Sequence, residues 1–126
     1  MKKLLFILTF ACGLMTLQAQ NANLKKSIED GIKTSIQQTE NREWKEAFAT
    51  CRELDGMIAV EEQKSKKQAP ELHYLVSKER LRMYMRLNNA EQSKLQIEKL
   101  EEYAERAKQE EVSEDLLMTK AGYYQK

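Results

Sequence analysis

From residue 24 onward, apolar residues recur every three or four positions through almost every segment of the chain, and no stretch alternates with period two. That spacing is the signature of amphipathic helices, so the pattern predicts an all-α fold. The first helix carries Leu24, Ile28, Ile32 and Ile36, with Asn23 as its expected cap. Gly31 lies inside it, at a cost of about 1 kcal/mol relative to alanine, so this helix has to lean on a neighbour. The second begins after an Asn41 cap and carries Trp44, Ala47, Phe48, Cys51, Leu54 and Ile58. It is expected to fade into the polar run EEQKSKKQA. Pro70 suits the first position of a third helix, where its missing N–H is harmless. Leu72, Leu75, Val76, Leu81, Tyr84, Met85 and Leu87 supply the apolar content of that helix.

Asn88-Asn89 reads as the next turn. The fourth helix follows with a narrow seam of Ala90, Ser93, Ile97, Leu100, Ala104 and Ala107. Ser113 is the expected cap of a fifth helix, with Val112 stapled onto Leu117. The predicted architecture is stacked antiparallel helix pairs. They occupy about 24–63 and 70–109, and an unpaired helix at about 113–126 follows.

The first nineteen residues, MKKLLFILTFACGLMTLQA, follow a different pattern. Lys2 and Lys3 precede an apolar run from Leu4 to Met15 that only Thr9 interrupts, and Ala19 closes the segment with a small residue. This is the layout of a cleaved secretory signal peptide, and the run is shorter than the ~20 residues that span a bilayer. Residues 1–19 are therefore expected to be removed and residues 20–126 to form the folded domain. The product would be exported to the periplasm or the exterior. Cys12 fits a lipoprotein signal poorly, because Thr9 stands where an aliphatic residue belongs.

Cleavage also changes the composition. The 126-residue chain carries a net charge of +1; without Lys2 and Lys3, 19 basic residues face 20 acidic ones. A balance so close to neutral gives no footprint for nucleic acid. Cys51 would be the one remaining cysteine, and its apolar neighbours at helical spacing predict a buried thiol with no disulfide. The four glycines and one proline are too few for a fold built from hairpins.

The second and fourth helices align with a shift of 46: Trp44, Ala47, Phe48, Cys51 and Leu54 fall on Ala90, Ser93, Lys94, Ile97 and Leu100. Tyr84 and Tyr123 relate the third and fifth with a shift of 39. Self-similarity of this kind marks stacked helix pairs. The segment NREWKEAFATCRELD, residues 41–55, resembles the second helix of a tetratricopeptide repeat. Trp44 stands at its aromatic position, Ala47 at its small position and Leu54 at its later packing position. The ending AGYYQK resembles the close of a first helix. The period exceeds the ~34 residues of that family, because polar linkers lengthen it. Together with the leader, the pattern resembles the exported N-terminal repeat regions of Bacteroidota sensor and regulator proteins.

The resemblance implies a non-catalytic protein-interaction module, in which an incomplete sensory ectodomain is one possible context. A self-associating structural or regulatory helical bundle is the alternative. Lys78, Arg82 and Arg86 lie four apart on the third helix and are the candidate partner-binding residues. The resemblance would put them on the concave, peptide-binding face, where arginine grips carboxylates with two prongs. The competing expectation is a solvated stripe paired with Glu79 or with the acids of the fourth helix. Glu98, Glu101, Glu102 and Glu105 are interleaved with Lys94, Lys99 and Arg106, which describes a salt-bridged surface rather than a metal site. His73 has no companion for zinc. No catalytic set, phosphate loop or cofactor motif is present, so neither an enzyme nor a cofactor is expected. The expected partner is a protein or peptide, and self-association through the last helix is a further possibility.

Overall fold

The computed structural model describes residues 13–125, with side chains from Ala22 onward. Most of the expected leader, including Cys12, lies outside the described residues. Five helices follow one another: α1 (Gly13–Glu40), α2 (Trp44–Ser65), α3 (Pro70–Arg86), α4 (Ala90–Ala107) and α5 (Glu110–Tyr124). The all-α expectation holds, and there is no strand among the described residues.

Several helix ends differ from those expected. Asn23 does not cap α1 but lies within it, because the preceding residues are good helix formers with no proline. Asn41 does not cap α2. It sits in the turn, where the Glu43 N–H donates to the Gln38 carbonyl (2.8 Å) and the Arg42 N–H to Thr39 (3.1 Å). That is the Schellman closure, and Arg42 takes its left-handed position at φ 61°. The same pair of bonds closes α3: Asn89 donates to Tyr84 and Asn88 to Met85, with Asn88 at φ 56°. Asn89 then caps α4 by accepting from the Gln92 N–H at 3.1 Å.

The polar run after Ile58 stays helical to Ser65, since Glu, Gln and Lys are strong helix formers, and the linker shrinks to residues 66–69. The fifth helix starts at Glu110 rather than after Ser113. Val112 packs inward, but Leu117 is 70% exposed, so the predicted staple does not form.

α1 packs along α2 and α3 along α4, while α3 also touches α1 and α2, and α5 lies on α4. Two apolar cores result. The first joins Ile28 of α1, Ala47, Cys51, Leu54 and Ile58 of α2, and Leu72, Val76 and Met83 of α3. The second joins Tyr74 and Leu81 of α3 to Ile97, Leu100 and Ala104 of α4, with Val112, Leu116 and Tyr123 of α5 against it. α3 belongs to both, which explains why it buries residues on two faces while α2 and α4 each bury one stripe.

The 46-residue shift is visible in these stripes. Ala47, Cys51, Leu54 and Ile58 are buried on α2, and Ser93, Ile97, Leu100 and Ala104 are buried on α4, position for position. Gly31 is explained by the α1–α2 contact. A Cβ there would lie 2.5 Å from Leu54 Cδ2, so the backbone approaches too closely for any other residue without displacing the core.

Candidate functional site

The first-core side of α3 carries a charged residue where an apolar one is expected. Glu79 is only 4% exposed. A carboxylate so placed must be fully hydrogen-bonded to be tolerated, and it is. Arg82 reaches back one turn and donates through Nε to Oε1 (2.7 Å) and through Nη2 to Oε2 (2.8 Å). The Ser35 hydroxyl of α1 donates to Oε2 at 2.7 Å, and Arg82 Nη2 donates to Thr39 Oγ1 at 2.9 Å. Ser35 and Thr39 are themselves buried. The paired carboxylate holds the Arg82 guanidinium above its usual pKa. This network fixes the register of α1 against α3.

A second polar cluster ties α5 to α3. The Tyr74 hydroxyl donates to Asp115 Oδ2 (2.6 Å) and Lys78 Nζ to Oδ1 (2.8 Å). Burial works against the Asp115 charge, but the bonds from Lys78 and Tyr74 outweigh it and hold the carboxyl below its ordinary range. Burial and the same carboxylate push the Tyr74 phenol upward.

Between α2 and α3, Glu62 accepts from the Ala69 N–H (2.8 Å) and contacts His73 Nε2 (3.0 Å). Those bonds lower the Glu62 carboxyl despite some burial. His73 stacks on Tyr103 of α4, with ring centroids 5.3 Å apart. Arg80 pairs with Asp55.

A groove of about 820 Å³ runs across α1, α3 and α5, and only these three helices line it. Its floor is apolar: Ile32 and Ile36 from α1, and Leu75, Leu81 and Met85 from α3. Lys25 and Lys33 stand on the α1 side and Lys78 and Arg82 in the centre, with Tyr123 on the α5 side. Two acids also line it, Glu29 and Glu79. Glu79 is buried and neutralised within the network above, so Glu29 is the one acid of this lining exposed to solvent. With Arg82 paired to Glu79 and Lys78 to Asp115, the charges left to an incoming group are Lys25 and Lys33 against Glu29, a small positive excess.

Two of the three residues expected from the sequence lie here, and both already have partners. Arg82 is committed to Glu79, one of the partners expected of a solvated stripe, but the pair is buried on its Glu79 side rather than solvated. Lys78 pairs with Asp115 of α5, not with the acids of α4. Lys78 Nζ and Arg82 Nη1 keep donors beyond these bonds. Arg86 is exposed and does not line the groove.

Lys25, part of a basic run too short for nucleic acid, and Lys33 were not expected from the sequence as partner-binding residues. Their only signal was a place on the face of the first helix that carries Ile32 and Ile36. The acids of α4 are exposed; Glu102 pairs with Arg106 and Glu101 with Lys120. Among the described residues no group of three or more His, Cys, Asp or Glu side chains could hold a metal, and no helix is long and apolar enough to cross a membrane. Cys51 is buried and its thiol is pushed up to about 11 by that burial, which leaves it protonated and poorly nucleophilic at neutral pH.

No family model, curated protein or solved structure matches this chain.

Proposed function

We propose that this protein is an exported, non-catalytic interaction module built of tetratricopeptide-like helix pairs, which takes an acidic peptide segment or C-terminal carboxylate into the groove across α1, α3 and α5. The observation that carries this reading is the groove's make-up. An apolar floor lies between Lys25, Lys33, Lys78 and Arg82, and the exposed acid is Glu29 alone. Such a surface desolvates apolar side chains of a ligand while the cations meet its carboxylates. The 46-residue correspondence of buried stripes supports the repeat character. The leader pattern supports export, and the packing of α1 that positions the groove begins at Leu24, beyond the expected cleavage point.

The test is fluorescence anisotropy with a labelled helical peptide bearing leucine and glutamate and ending in a free carboxylate. A lysine-for-glutamate version serves as control. The acidic peptide binds, added salt weakens it, and the double substitution Lys25→Gln/Lys33→Gln lowers affinity about tenfold, while Arg86→Gln leaves it unchanged. Equal binding of the basic peptide, or indifference to the double substitution, contradicts the reading.

A further inference from the structure

α3 carries a two-point grip for a carboxylate, and the chain itself fills it. The Tyr74 hydroxyl and Lys78 Nζ stand one helical turn apart on one face of α3. They take the two oxygens of Asp115 separately, Oδ2 at 2.6 Å and Oδ1 at 2.8 Å. A phenol and an ammonium converging on one carboxylate make short, charge-assisted bonds, and any other carboxylate brought to the same place would make them equally.

This grip lies where two cavities meet. One is the groove across α1, α3 and α5. The other, of about 610 Å³, lies between α1, the C-terminal end of α2 and the N-terminal halves of α3 and α5. Lys25, Leu75 and Lys78 line both, whereas Tyr74 and Asp115 line the second alone. A segment lying in the groove therefore reaches Lys78 from one side while Asp115 holds it from the other.

The helix that supplies Asp115 is also the one held least firmly. α5 has no buried residue, whereas α2, α3 and α4 bury four, seven and five. Only Lys108 and Gln109 join it to α4. Apart from the Asp115 bonds, it rests on half-buried Val112, Leu116 and Tyr123 and on the Lys120–Glu101 pair at 3.5 Å. An element with so few buried contacts opens before the rest of a fold.

We propose that Asp115 is an internal stand-in for the ligand: a carboxylate of the docked segment displaces it from Tyr74 and Lys78, and α5 swings away about residues 108–109. This rests on the groove reading above and adds its regulation. With Asp115 in place, the unpaired charges of the groove are Lys25 and Lys33 against Glu29; once it leaves, Lys78 joins the cations. Because the competent state is populated only in part, the intact chain binds more weakly than the grip alone allows.

Anisotropy titrations of the parent, Asp115→Asn and Glu111→Gln with the labelled acidic peptide test this. Glu111 is exposed and lines the same cavity, so its substitution removes the same unit of charge without vacating the grip. Asp115→Asn tightens binding about fivefold, as expected for release of an internal competitor. Glu111→Gln changes it by less than about twofold, and the lysine-bearing control peptide gains nothing. Adding Tyr74→Phe to Asp115→Asn removes most of the gain. A gain in affinity separates displacement from mere loss of stability. A C-terminally amidated peptide that keeps the gain assigns the displacing carboxylate to a glutamate side chain, and one that loses it assigns it to the chain end; both outcomes support displacement. Unchanged or weaker binding by Asp115→Asn, while the parent binds in a Lys25- and Lys33-dependent way, overturns this inference and leaves the groove reading standing. An equal gain from Glu111→Gln reduces the effect to net charge and overturns it as well. Binding by neither the parent nor Asp115→Asn overturns both.

Discussion

Gly31 and Gln96 show two ways in which a single residue sets the stability of this molecule. In an exposed helix, glycine to alanine gains about 1 kcal/mol. At Gly31 the gain is lost, because the new methyl would fall 2.5 Å from Leu54 Cδ2 inside the first core. Leu54 must move against packed neighbours, which costs about 1–3 kcal/mol. Urea denaturation should therefore show Gly31→Ala to be less stable than the parent; a more stable variant would mean that Leu54 yields freely. Gln96 is the opposite case. It is 3% exposed, and its Oε1 has no hydrogen-bond partner among the described residues. A buried unpaired acceptor costs about 1–3 kcal/mol. Gln96→Met keeps the length, removes the orphaned oxygen and should raise the midpoint of thermal unfolding by several degrees.

Helix-scale behaviour turns on how the ends and the inter-helix ties are made. All four helix ends at α1, α2, α3 and α4 close with a residue at positive φ, and none is glycine: Arg42, Lys66, Asn88 and Lys108. That is why the sequence told the helices from one another but misplaced their limits. The usual glycine marker is absent, and only Asn88 hints at a left-handed turn. The periodic stripes of α2 and α4 were legible because each faces a single core. α3 was read less completely, since a helix serving two cores hides its period, and the burial of Tyr74, Ser77 and Glu79 had no sequence signal. Within the candidate site, Lys78 and Arg82 were legible as a stripe. Their partners were not fully so, because Asp115 lies 37 residues beyond Lys78 and nothing local announces it.

The ties themselves predict an acid dependence. Asp115 and Glu62 both have carboxyls held below their ordinary values of 3.8 and 4.5. A carboxyl lowered on folding contributes stability that is complete above its unfolded pKa and is lost as the pH falls through the folded one. Stability should be flat above about pH 5 and then fall as the solution is acidified. The Asp115→Asn variant should show a smaller acid loss. It should also show faster amide exchange in α5 than in α2 at neutral pH, because α5 then keeps only its apolar contacts and the partly exposed Lys120–Glu101 pair. Exchange in α5 as slow as in the parent would show that the Tyr74–Asp115–Lys78 cluster does not hold it.

At the scale of the whole molecule, the arrangement divides labour between two sets of helices. α2 and α4 repeat the same buried stripe and stay out of the groove, whereas α1, α3 and α5 contribute to the cores and also line the groove. The Glu79 network has a structural part in this, because it locks α1 to α3 and leaves the groove's outward charge positive. The docking proposal depends on that division. Its most direct test is an amide chemical-shift map of the folded protein titrated with the acidic leucine- and glutamate-bearing peptide. The account predicts salt-sensitive shifts concentrated at Lys25, Lys33, Ile36, Lys78, Met85 and Tyr123, with the outer surfaces of α2 and α4 unmoved. Shifts centred on α2 or α4, or none at a peptide excess that the anisotropy assay finds saturating, would contradict it.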